Sequence, residues 1–355
     1  MSNISIPIPE CPISLATPRF AIHLATPYRP IPIATPDRFI TQATPDCSKP
    51  LATPDCSIPP ATPECSIPLA TPDCSIPLAG YSTKLSVSPV TGRVVKVTTV
   101  EEERNYKVMG EDEMLGKYLP TLYEAHHTPG KTVIHIENCL HSFSDSANIL
   151  DCKIGVRTFT EEEFLAAREN PELRPDLYQR MVEVDYEEPT QVEHYLKKVA
   201  LHRFMIWRDT ISSTASLGFR VKGMRRKGVS YQHYKTLTSR HKIFKIILSF
   251  MKDFPWAAPH FLTQLQTLRQ DFKNSKLFSS HEFIGTSLLF VVDRSRCQMW
   301  MIDLEKMSSV PPHVSIDHES GWVQGSYQDG YLLGLDNLIS IFTDIVSHWT
   351  RPSKC

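Results

Sequence analysis

The stretch NILDCKIGVRTF, residues 148–159, sets a carboxylate, Asp151, two positions before an ammonium, Lys153, in an otherwise largely apolar run. The apolar residues around this pair predict a strand. Side chains alternate between the two faces of a strand, so Asp151 and Lys153 share one face and Cys152 lies on the other. Taken alone, such a pair is more often a surface ion pair than part of an active site.

The bulk composition is that of an ordinary globular chain. It has 355 residues, 22% charged and 41% apolar, with a formal net charge of -1. Overall charge therefore gives no argument for nucleic acid, and an anionic ligand must be met by a local basic patch. No apolar run approaches the roughly 18 residues of a membrane span, and the first residues lack a signal-peptide pattern. These features predict a cytoplasmic location.

A proline-rich repeat occupies the first 77 residues. Ala-Thr-Pro recurs with a period of nine, starting at residue 16 and last at residue 70. Proline fixes φ and removes a backbone donor, so a helix or a central strand is excluded there. We expect residues 1–77 to be a disordered, partly polyproline-like tail that binds unknown partners, with a nine-residue solenoid as the alternative. Outside the tail the few cysteines form no CxxC pair, which favours free thiols over a zinc site.

Past residue 78 the pattern predicts an α+β protein of two lobes. Strands are expected at 91–100, 131–140 and 149–159, with a helix after the first of them. A long helical stretch from Glu161 to Arg208 follows, broken near three prolines. The segments SLLFVVD and CQMWMIDLE, joined by a polar turn, suggest a hairpin, and an apolar helix closes the chain.

Three charged positions on the predicted strands or at their ends suit phosphoryl transfer: Lys96, the pair Asp151 and Lys153, and Asp303. A lysine can neutralise nucleotide phosphates, one aspartate can hold a divalent cation, and another can orient or deprotonate the attacking hydroxyl. Each position alone also fits an ordinary structural role. The signatures of protein kinases, a GxGxxG loop and a His-Arg-Asp loop, are absent from the sequence.

Several strings, in the same order along the chain, resemble the motifs of the inositol polyphosphate kinase family. LDCKIGVRTF resembles its Pro-x-x-x-Asp-x-Lys-x-Gly signature, although the leading proline is absent. GTSLLFVVD (285–293) resembles its Ser-Ser-Leu-Leu element and WMIDLEK (300–306) its Ile-Asp-Phe-Gly-Lys element. Residues 173–223 look like the long insertion of inositol-trisphosphate 3-kinases, and residues 322–342 like the C-terminal segment.

The resemblance implies a two-lobed kinase fold over residues 78–346, with an N-lobe at 78–145 and a C-lobe at 146–346. A helical substrate-binding insertion is expected at about 161–215 and a short tail at 347–355. The implied activity is phosphorylation of inositol 1,4,5-trisphosphate at its 3-hydroxyl, with ATP and Mg²⁺, in inositol phosphate and calcium signalling. Alternatives are a multikinase-like enzyme for another inositol polyphosphate and a pseudokinase scaffold with a proline-rich tail.

The resemblance also implies roles for individual residues. Asp151 and Lys153 are expected to be catalytic, and Asp303 and Ser287 to lie at the metal. Contacts to the nucleotide are expected from Lys84, Lys96, Glu137, Asn138, Cys139, Asp151, Arg225 and Asp303. Contacts to the substrate are expected at Lys153, Arg174, Leu201, Phe204, Arg208 and Lys306.

Several of these positions depart from the family's pattern. Ala200, Leu201 and Phe204 stand where 3-kinases typically carry Thr, Lys and Tyr, and Leu304-Glu305 replaces Phe-Gly after the metal aspartate. Each lost charge-assisted hydrogen bond is worth roughly 1.5–3 kcal/mol. Because Lys96, Asp151, Lys153 and Asp303 are kept, we expect a working kinase with a weakened or altered substrate pocket.

A last implied feature is a calmodulin-binding stretch at residues 176–184, DLYQRMVEV. Leu177, Met181 and Val184 could form an apolar stripe on a helix. With one arginine the stretch is a weak target, and packing of the stripe into the core is the alternative.

Overall fold

The computed structural model describes residues 85–350, apart from residue 233. The predicted repeat tail, Lys84 and residues 351–355 lie outside the described residues. Among those that are described, no helix is both long enough and apolar enough to cross a membrane. The three cysteines of this part, Cys139, Cys152 and Cys297, are free thiols, as predicted.

Thirteen strands and nine α-helices make up the described part of the chain. The strands are β1 Leu85–Val87, β2 Val94–Thr98, β3 Leu122–Thr128, β4 Lys131–Ile136, β5 Asn148–Ile154, β6 Leu173–Arg174, β7 Val199–Ala200, β8 Phe219–Arg226, β9 Val229–Tyr231, β10 His281–Ile284, β11 Ser287–Val292, β12 Cys297–Ile302 and β13 Lys306–Ser309. The helices are α1 Val100–Gly110, α2 Glu161–Glu169, α3 Pro175–Val184, α4 Gln191–Leu196, α5 Leu201–Thr210, α6 Ser213–Leu217, α7 Arg240–Met251, α8 Ala257–Asn274 and α9 Tyr331–Thr350.

The first lobe is an antiparallel sheet in the order β1-β2-β4-β3, with α1 packed against it. Thr99 caps α1 by accepting from the backbone of Glu102, and three glutamates in the first turn suit the positive end of the helix dipole. The buried side of α1 carries Glu102, Asn105, Tyr106 and Met109. Two of these buried side chains are polar and face the second lobe, where they meet partners described below.

The second lobe is built on an antiparallel five-stranded sheet in the order β12-β11-β5-β8-β9. β5, the strand quoted at the outset, lies in its centre and pairs with β11 and β8. Its Leu150, Cys152 and Ile154 enter the main apolar core, so Asp151 and Lys153 face the other way, as predicted. The predicted hairpin is also confirmed, because β11 pairs with β12 from Ser287 to Val292.

Helices α7, α8 and α9 cover the apolar face of this sheet. The core includes Ile247 of α7, Phe261 of α8 and Phe342 of α9, and it continues to Ile134 and Tyr106 of the first lobe. α9 runs to Thr350, past the predicted domain end at residue 346. Its last turns stay helical because Val346 and Trp349 pack against the core.

The insertion between β5 and β8 holds the short helices α2 to α6. The predicted break near Pro175 is the start of α3, with the proline at a first-turn position where its missing N–H costs nothing. Capping boxes start α2 at Thr160 and α4 at Thr190. A separate apolar cluster holds the insertion together, and its buried members are Leu177, Met181, Val199, Phe204 and Trp207.

Several strands had no counterpart in the prediction, among them β3, β6, β7, β10 and β13. β3 is polar along most of its length, β6 and β7 have two residues each, and β10 and β13 pair only with each other. β3 is held at the sheet edge by its pairing with β4, which starts after a two-residue turn. These strands depend on partners more than on an alternating apolar pattern, so the pattern could not reveal them.

A close approach of two glycines joins α9 to the end of α6. Gly218 adopts φ +65° at the C-cap of α6, and a Cβ on Gly334 would fall well inside contact distance of the Gly218 carbonyl oxygen. We expect Gly334→Ala to lower the free energy of unfolding by about 1–3 kcal/mol through overpacking. Urea denaturation checks this, with Gly321→Ala as control, since nothing lies within 4 Å of that position. Equal stability of the two variants would contradict the predicted clash.

Asp253 ties the end of β8 to the loop after α7. Arg226 donates to its two oxygens at 2.6 and 3.0 Å, and Lys227 lies 3.2 Å away. The hydrogen bonds from Arg226 are the main reason that the pKa of Asp253 falls to about 2. Because the pKa of Asp253 is lower in the folded than in the unfolded protein, its ion pair stabilises the folded state fully above pH 4. This stabilisation disappears as the pH falls towards 2.

We therefore expect Asp253→Asn to cost about 1–2 kcal/mol of unfolding free energy at pH 7, allowing for partial exposure of the pair. The difference from the unmodified protein should shrink steadily between pH 4 and pH 2. Urea denaturation at several pH values measures it. A difference that stays constant down to pH 2 would show that the carboxylate charge is not the cause.

Candidate active site

The polar face of the five-stranded sheet carries a row of ionisable side chains. Lys153 of β5 is paired in register with Ser287 of β11 on one side and with Arg220 of β8 on the other. Directly opposed residues of antiparallel strands share a face, so these three side chains point to the same side as Asp151. Asp303 follows β12 directly, one residue after Ile302, which pairs with Ser287.

The first lobe reaches this face through Lys96 of β2. Its ammonium lies 2.8 Å from Asp303 Oδ1 and 2.7 Å from Glu102 Oε1 of α1. Glu102 is fully buried and also accepts from the backbone N–H of Leu304 at 3.1 Å. Burial alone would lower the pKa of Lys96, but attraction to both carboxylates outweighs it and keeps the lysine charged.

α1 also fixes the segment that carries Asp303. Asn105 donates its amide hydrogens to the carbonyl oxygens of Leu304 and Met307, at 2.8 Å each. Asp303 itself adopts φ +63°, a conformation that costs energy for a residue other than glycine. The side chains of Leu304 and Met307 are buried in the core, whereas Glu305 is exposed. The aspartate is therefore held in place from both sides, and the extra carboxylate faces solvent.

Lys222 joins the two aspartates. Its ammonium lies 3.3 Å from Asp151 Oδ2 and 3.3 Å from Asp303 Oδ2. A β-bulge places it there, because Val221 and Gly223 pair with the consecutive residues Cys152 and Asp151 and leave Lys222 as the extra residue. Bulges commonly redirect a side chain in this way.

The environment shifts the pKa of both aspartates and of Lys153. Burial raises the pKa of Asp151, although Lys222 opposes the rise. Burial would also raise the pKa of Asp303, but Lys96 and then Lys222 outweigh it and hold the pKa well below its usual range. Burial lowers the pKa of Lys153 to about 8. Two carboxyls with pKa values pushed in opposite directions are typical of a site with divided acid–base roles.

Two buried oxygens of this face have no hydrogen-bond partner among residues 85–350, namely Asp151 Oδ1 and Ser287 Oγ. Unpaired buried polar atoms are costly and call for a ligand or water. Together with Asp303 they offer oxygen donors only, the type that Mg²⁺ prefers. The residues present therefore fit a hard divalent cation, with Lys222 as a competing charge beside it.

The predicted hinge follows β4. The backbone N–H of Glu137 donates to the Thr121 carbonyl oxygen at 2.8 Å, and its carboxylate accepts from Thr121. Asn138 accepts from the backbone of Leu140 at 3.0 Å. Cys139 packs beside an apolar cluster that includes Trp300, and burial raises the pKa of its thiol. These bonds fix the backbone of the segment that connects the two lobes.

The other predicted basic contacts that lie within residues 85–350 all have protein partners. Arg174 forms a bidentate pair with Asp176 at 2.8 and 2.9 Å. Lys306 lies 2.6 Å from Glu163 of α2, and Arg208 donates to the Thr158 hydroxyl. Arg225 donates to the Asp145 carbonyl oxygen at 2.7 Å. Each would have to exchange or share its partner to bind a phosphate.

Two further predicted substrate positions are apolar and pack inside the insertion. Phe204 is buried with Leu177 and Trp207, and Leu201 packs beside the same cluster. The stripe of the predicted calmodulin stretch is divided: Leu177 and Met181 are buried in this cluster, and Val184 is 49% exposed. Most of the stripe is therefore in the core of the insertion.

Sequence reasoning missed three residues of the site: Glu102, Lys222 and Arg220. Glu102 stands four and seven positions before the buried Tyr106 and Met109, so a carboxylate on the apolar side of α1 was the available signal. Lys222 lies in the basic run VKGMRRKG, residues 221–228, a pattern that is equally typical of a solvated turn. Arg220 is recognisable only through its pairing with Lys153.

Comparisons with known proteins agree with this geometry. The family model for inositol polyphosphate kinase matches residues 133–343, more than half of the chain. Inositol-trisphosphate 3-kinase A of Rattus norvegicus is 36% identical over 268 residues, which are 75% of this chain and 58% of the rat protein. An inositol-trisphosphate 3-kinase homolog of Caenorhabditis elegans is 33% identical over 71% of this chain and 51% of its own length.

Among solved structures, inositol phosphate multikinase Ipk2 of S. cerevisiae aligns over 71% of this chain and 99% of its own, with 17% identity and a TM-score of 0.47. The chain spans less than two thirds of the length of the two 3-kinase relatives. The residues matched by the family model include Asp151, Lys153, Ser287 and Asp303 of the candidate site. The chain therefore belongs to the inositol polyphosphate kinase family.

Proposed function

We propose that this protein is an ATP-dependent kinase that phosphorylates inositol 1,4,5-trisphosphate at the 3-hydroxyl and yields inositol 1,3,4,5-tetrakisphosphate. The observation that carries the proposal is the buried carboxylate of Asp151. One of its oxygens has no hydrogen-bond partner within the described residues, Lys222 contacts the other, and Lys153 lies on the same face of the sheet. The identity to relatives named inositol-trisphosphate 3-kinases supports this choice of substrate.

In this mechanism the substrate hydroxyl attacks the γ-phosphorus of ATP. A new phosphorus–oxygen bond forms, the bond from the γ-phosphorus to the bridging oxygen breaks, and ADP leaves. Asp151 orients the hydroxyl and accepts its proton through the oxygen that lacks a partner. The raised pKa of Asp151 suits a group that must bind a proton during turnover.

Fixed cations stabilise the negative charge that moves between the phosphates during transfer. Lys153 faces the transferring group and Lys96 the nucleotide phosphates, in line with the electrostatic stabilisation that dominates phosphoryl transfer. The pair between Lys96 and Glu102 holds the first cation in position before the nucleotide binds. The hinge at Glu137, Asn138 and Cys139 offers backbone groups to the adenine.

A divalent cation would be held by Asp303 with Ser287 and with the Asp151 oxygen that Lys222 contacts, so that the unpaired oxygen of Asp151 stays available for the substrate proton. When bound, Mg²⁺ supplies neutralisation of the phosphate charge. The donor atoms themselves are contributed by a strand end, a neighbouring strand and the central strand of one sheet, which keeps their spacing rigid.

One observation favours a second candidate, a kinase for a different inositol polyphosphate. Arg174, Arg208 and Lys306 are all engaged by protein partners, and Phe204 is buried. A pocket with fewer available cations would bind the phosphates of the trisphosphate less tightly. The preferred substrate then depends on which of these three basic side chains exchanges its protein partner for a phosphate.

Transfer of labelled phosphate from ATP to a panel of inositol phosphates tests these alternatives. We expect transfer to inositol 1,4,5-trisphosphate at the 3-position to be preferred. Preference for another member would support the second candidate. Nucleotide binding without transfer to any member of the panel would refute both kinase hypotheses and support the pseudokinase scaffold.

The remaining predictions are kept as proposals. The kinase domain is placed at 78–346, after a disordered tail that could bind unknown partners, and the location is cytoplasmic. Calmodulin binding at 176–184 would require α3 to release Leu177 and Met181 from their cluster. A complex with Ca²⁺-loaded calmodulin that Met181→Ser weakens more than Tyr186→Ser would support it.

A further inference from the structure

We propose that Lys222 is a built-in cation that competes with the divalent metal for Asp151 and Asp303. Nucleotide binding by this chain would therefore depend only weakly on the metal until Lys222 is removed. This inference rests on the proposed function, because it concerns the metal site of the kinase. It assigns to Lys222, for which no role at the site was predicted, the control of how tightly that metal is held.

The occupation of carboxylate oxygens is the first step of the argument. Lys222 contacts one oxygen of Asp151 and one of Asp303, and Lys96 takes the other oxygen of Asp303 at 2.8 Å. Within the described ranges only Asp151 Oδ1 is left unpaired among these four oxygens. A metal that binds both aspartates must therefore share or displace an ammonium.

The position of Lys222 is built into the sheet, which is the second step. As the extra residue of the bulge it is flanked by Val221 and Gly223, which are both paired with β5. Val221 is buried in the core, so the backbone on either side of Lys222 is fixed. Its side chain is 30% exposed and extends across the polar face to both aspartates.

The balance of charge is the third step. Lys96 is shared between Asp303 and Glu102, whereas Lys222 contacts both Asp151 and Asp303. A divalent ion entering beside this ammonium meets repulsion at short range in a partly buried site, where charges are weakly screened. Without Lys222, the negative charge of the two carboxylates would be less neutralised. A pair of carboxylates with excess negative charge is the environment that favours a divalent cation.

Direct metal binding tests the proposal. Mn²⁺ would be titrated into the full-length protein with ADP present and no inositol phosphate, and followed by its paramagnetic resonance signal. We expect Lys222→Met to bind Mn²⁺ at least about tenfold more tightly than the unmodified protein, within the usual range of coupling between two sites. Lys245→Met, at an exposed position of α7, should leave the affinity unchanged.

A second measurement compares the affinity for ATP in EDTA and in excess Mg²⁺. We expect less than about a threefold difference for the unmodified protein and at least about tenfold for Lys222→Met, by the same coupling. Lys222→Arg keeps the charge, so its Mn²⁺ affinity and its ATP affinity should match those of the unmodified protein. This variant also tests the proposal if Lys222→Met does not fold. Equal Mn²⁺ affinity with lysine and methionine, or tightening by arginine as well, would overturn the proposal.

These readouts are independent of phosphoryl transfer. A protein that binds ADP and Mn²⁺ but phosphorylates no inositol phosphate would refute the proposed function and could still show the effect of Lys222. An active kinase whose Mn²⁺ affinity does not respond to Lys222→Met would refute the role of Lys222 alone.

Discussion

Asp151→Asn is expected to lower the turnover number for inositol trisphosphate by roughly 10²–10⁴-fold, the range attributed to general base catalysis. Asparagine keeps the shape of the side chain but cannot take up the hydroxyl proton. Because asparagine has nearly the same size as aspartate, the change should leave β5 in the centre of the sheet. Initial rates of label transfer from ATP measure the loss, and calorimetric titration with ATP should show a much smaller change in affinity.

Asp145→Asn is the matched control for this experiment. Asp145 lies six residues earlier in an exposed loop, and its side chain makes no hydrogen bond within the described part of the chain. We expect full activity from this variant. If Asp151→Asn transferred phosphate at the unmodified rate, Asp151 would not be the catalytic base, although the cluster around Lys96 and Asp303 could still bind the nucleotide.

Arg157→Met should give the largest loss of stability, about 3–5 kcal/mol, because it breaks a buried ion pair. Arg157 and Glu282 are both almost fully buried and lie 2.5 Å apart. Arg157 also donates to the carbonyl oxygens of Phe159, Tyr327 and Gln328, and so holds the loop before α9 against the end of β5. Burial already raises the pKa of Glu282 against the attraction of Arg157. Without the arginine that carboxylate would be left uncompensated.

Urea denaturation measures this effect. Arg240→Met is the control, because its pair with Asp344 is exposed and should contribute no more than about 1 kcal/mol. The double variant Arg157→Met with Glu282→Leu should be more stable than Arg157→Met alone, since it removes the orphaned charge. If the double variant were less stable than the single one, the carbonyl contacts of Arg157 would be the dominant cause.

Much of the site could be predicted from short strings because its residues lie on strongly patterned strands. The alternation in LDCKI predicted correctly that Cys152 enters the core and that Asp151 and Lys153 face away from it. The apolar runs of β11 and β12 predicted the hairpin, and the resemblance to the family implied that Ser287 and Asp303 lie together at the metal. A strand in the centre of a sheet leaves its side chains few alternatives, so local sequence is informative there.

The helical insertion shows where such prediction fails. The sequence indicated helices and the prolines between them; α2 and α4 begin at capping boxes, and α3 begins at Pro175. It could not show that Phe204 and Met181 pack into the same cluster, or that Arg174 and Lys306 have carboxylate partners. Those contacts depend on how short helices meet, which amphipathic spacing alone does not specify.

The faces of β5, the hairpin of β11 and β12 and the membership of the family were therefore already present in the sequence of this protein. Three-dimensional pairing added the chain of contacts from Glu102 through Lys96 and Asp303 to Lys222 and Asp151. The reason is that a bulge between strands about 70 residues apart directs Lys222, and Glu102, in a run of three consecutive glutamates, becomes buried when α1 docks. Neither event leaves a local periodic signal, because each is set by a distant partner.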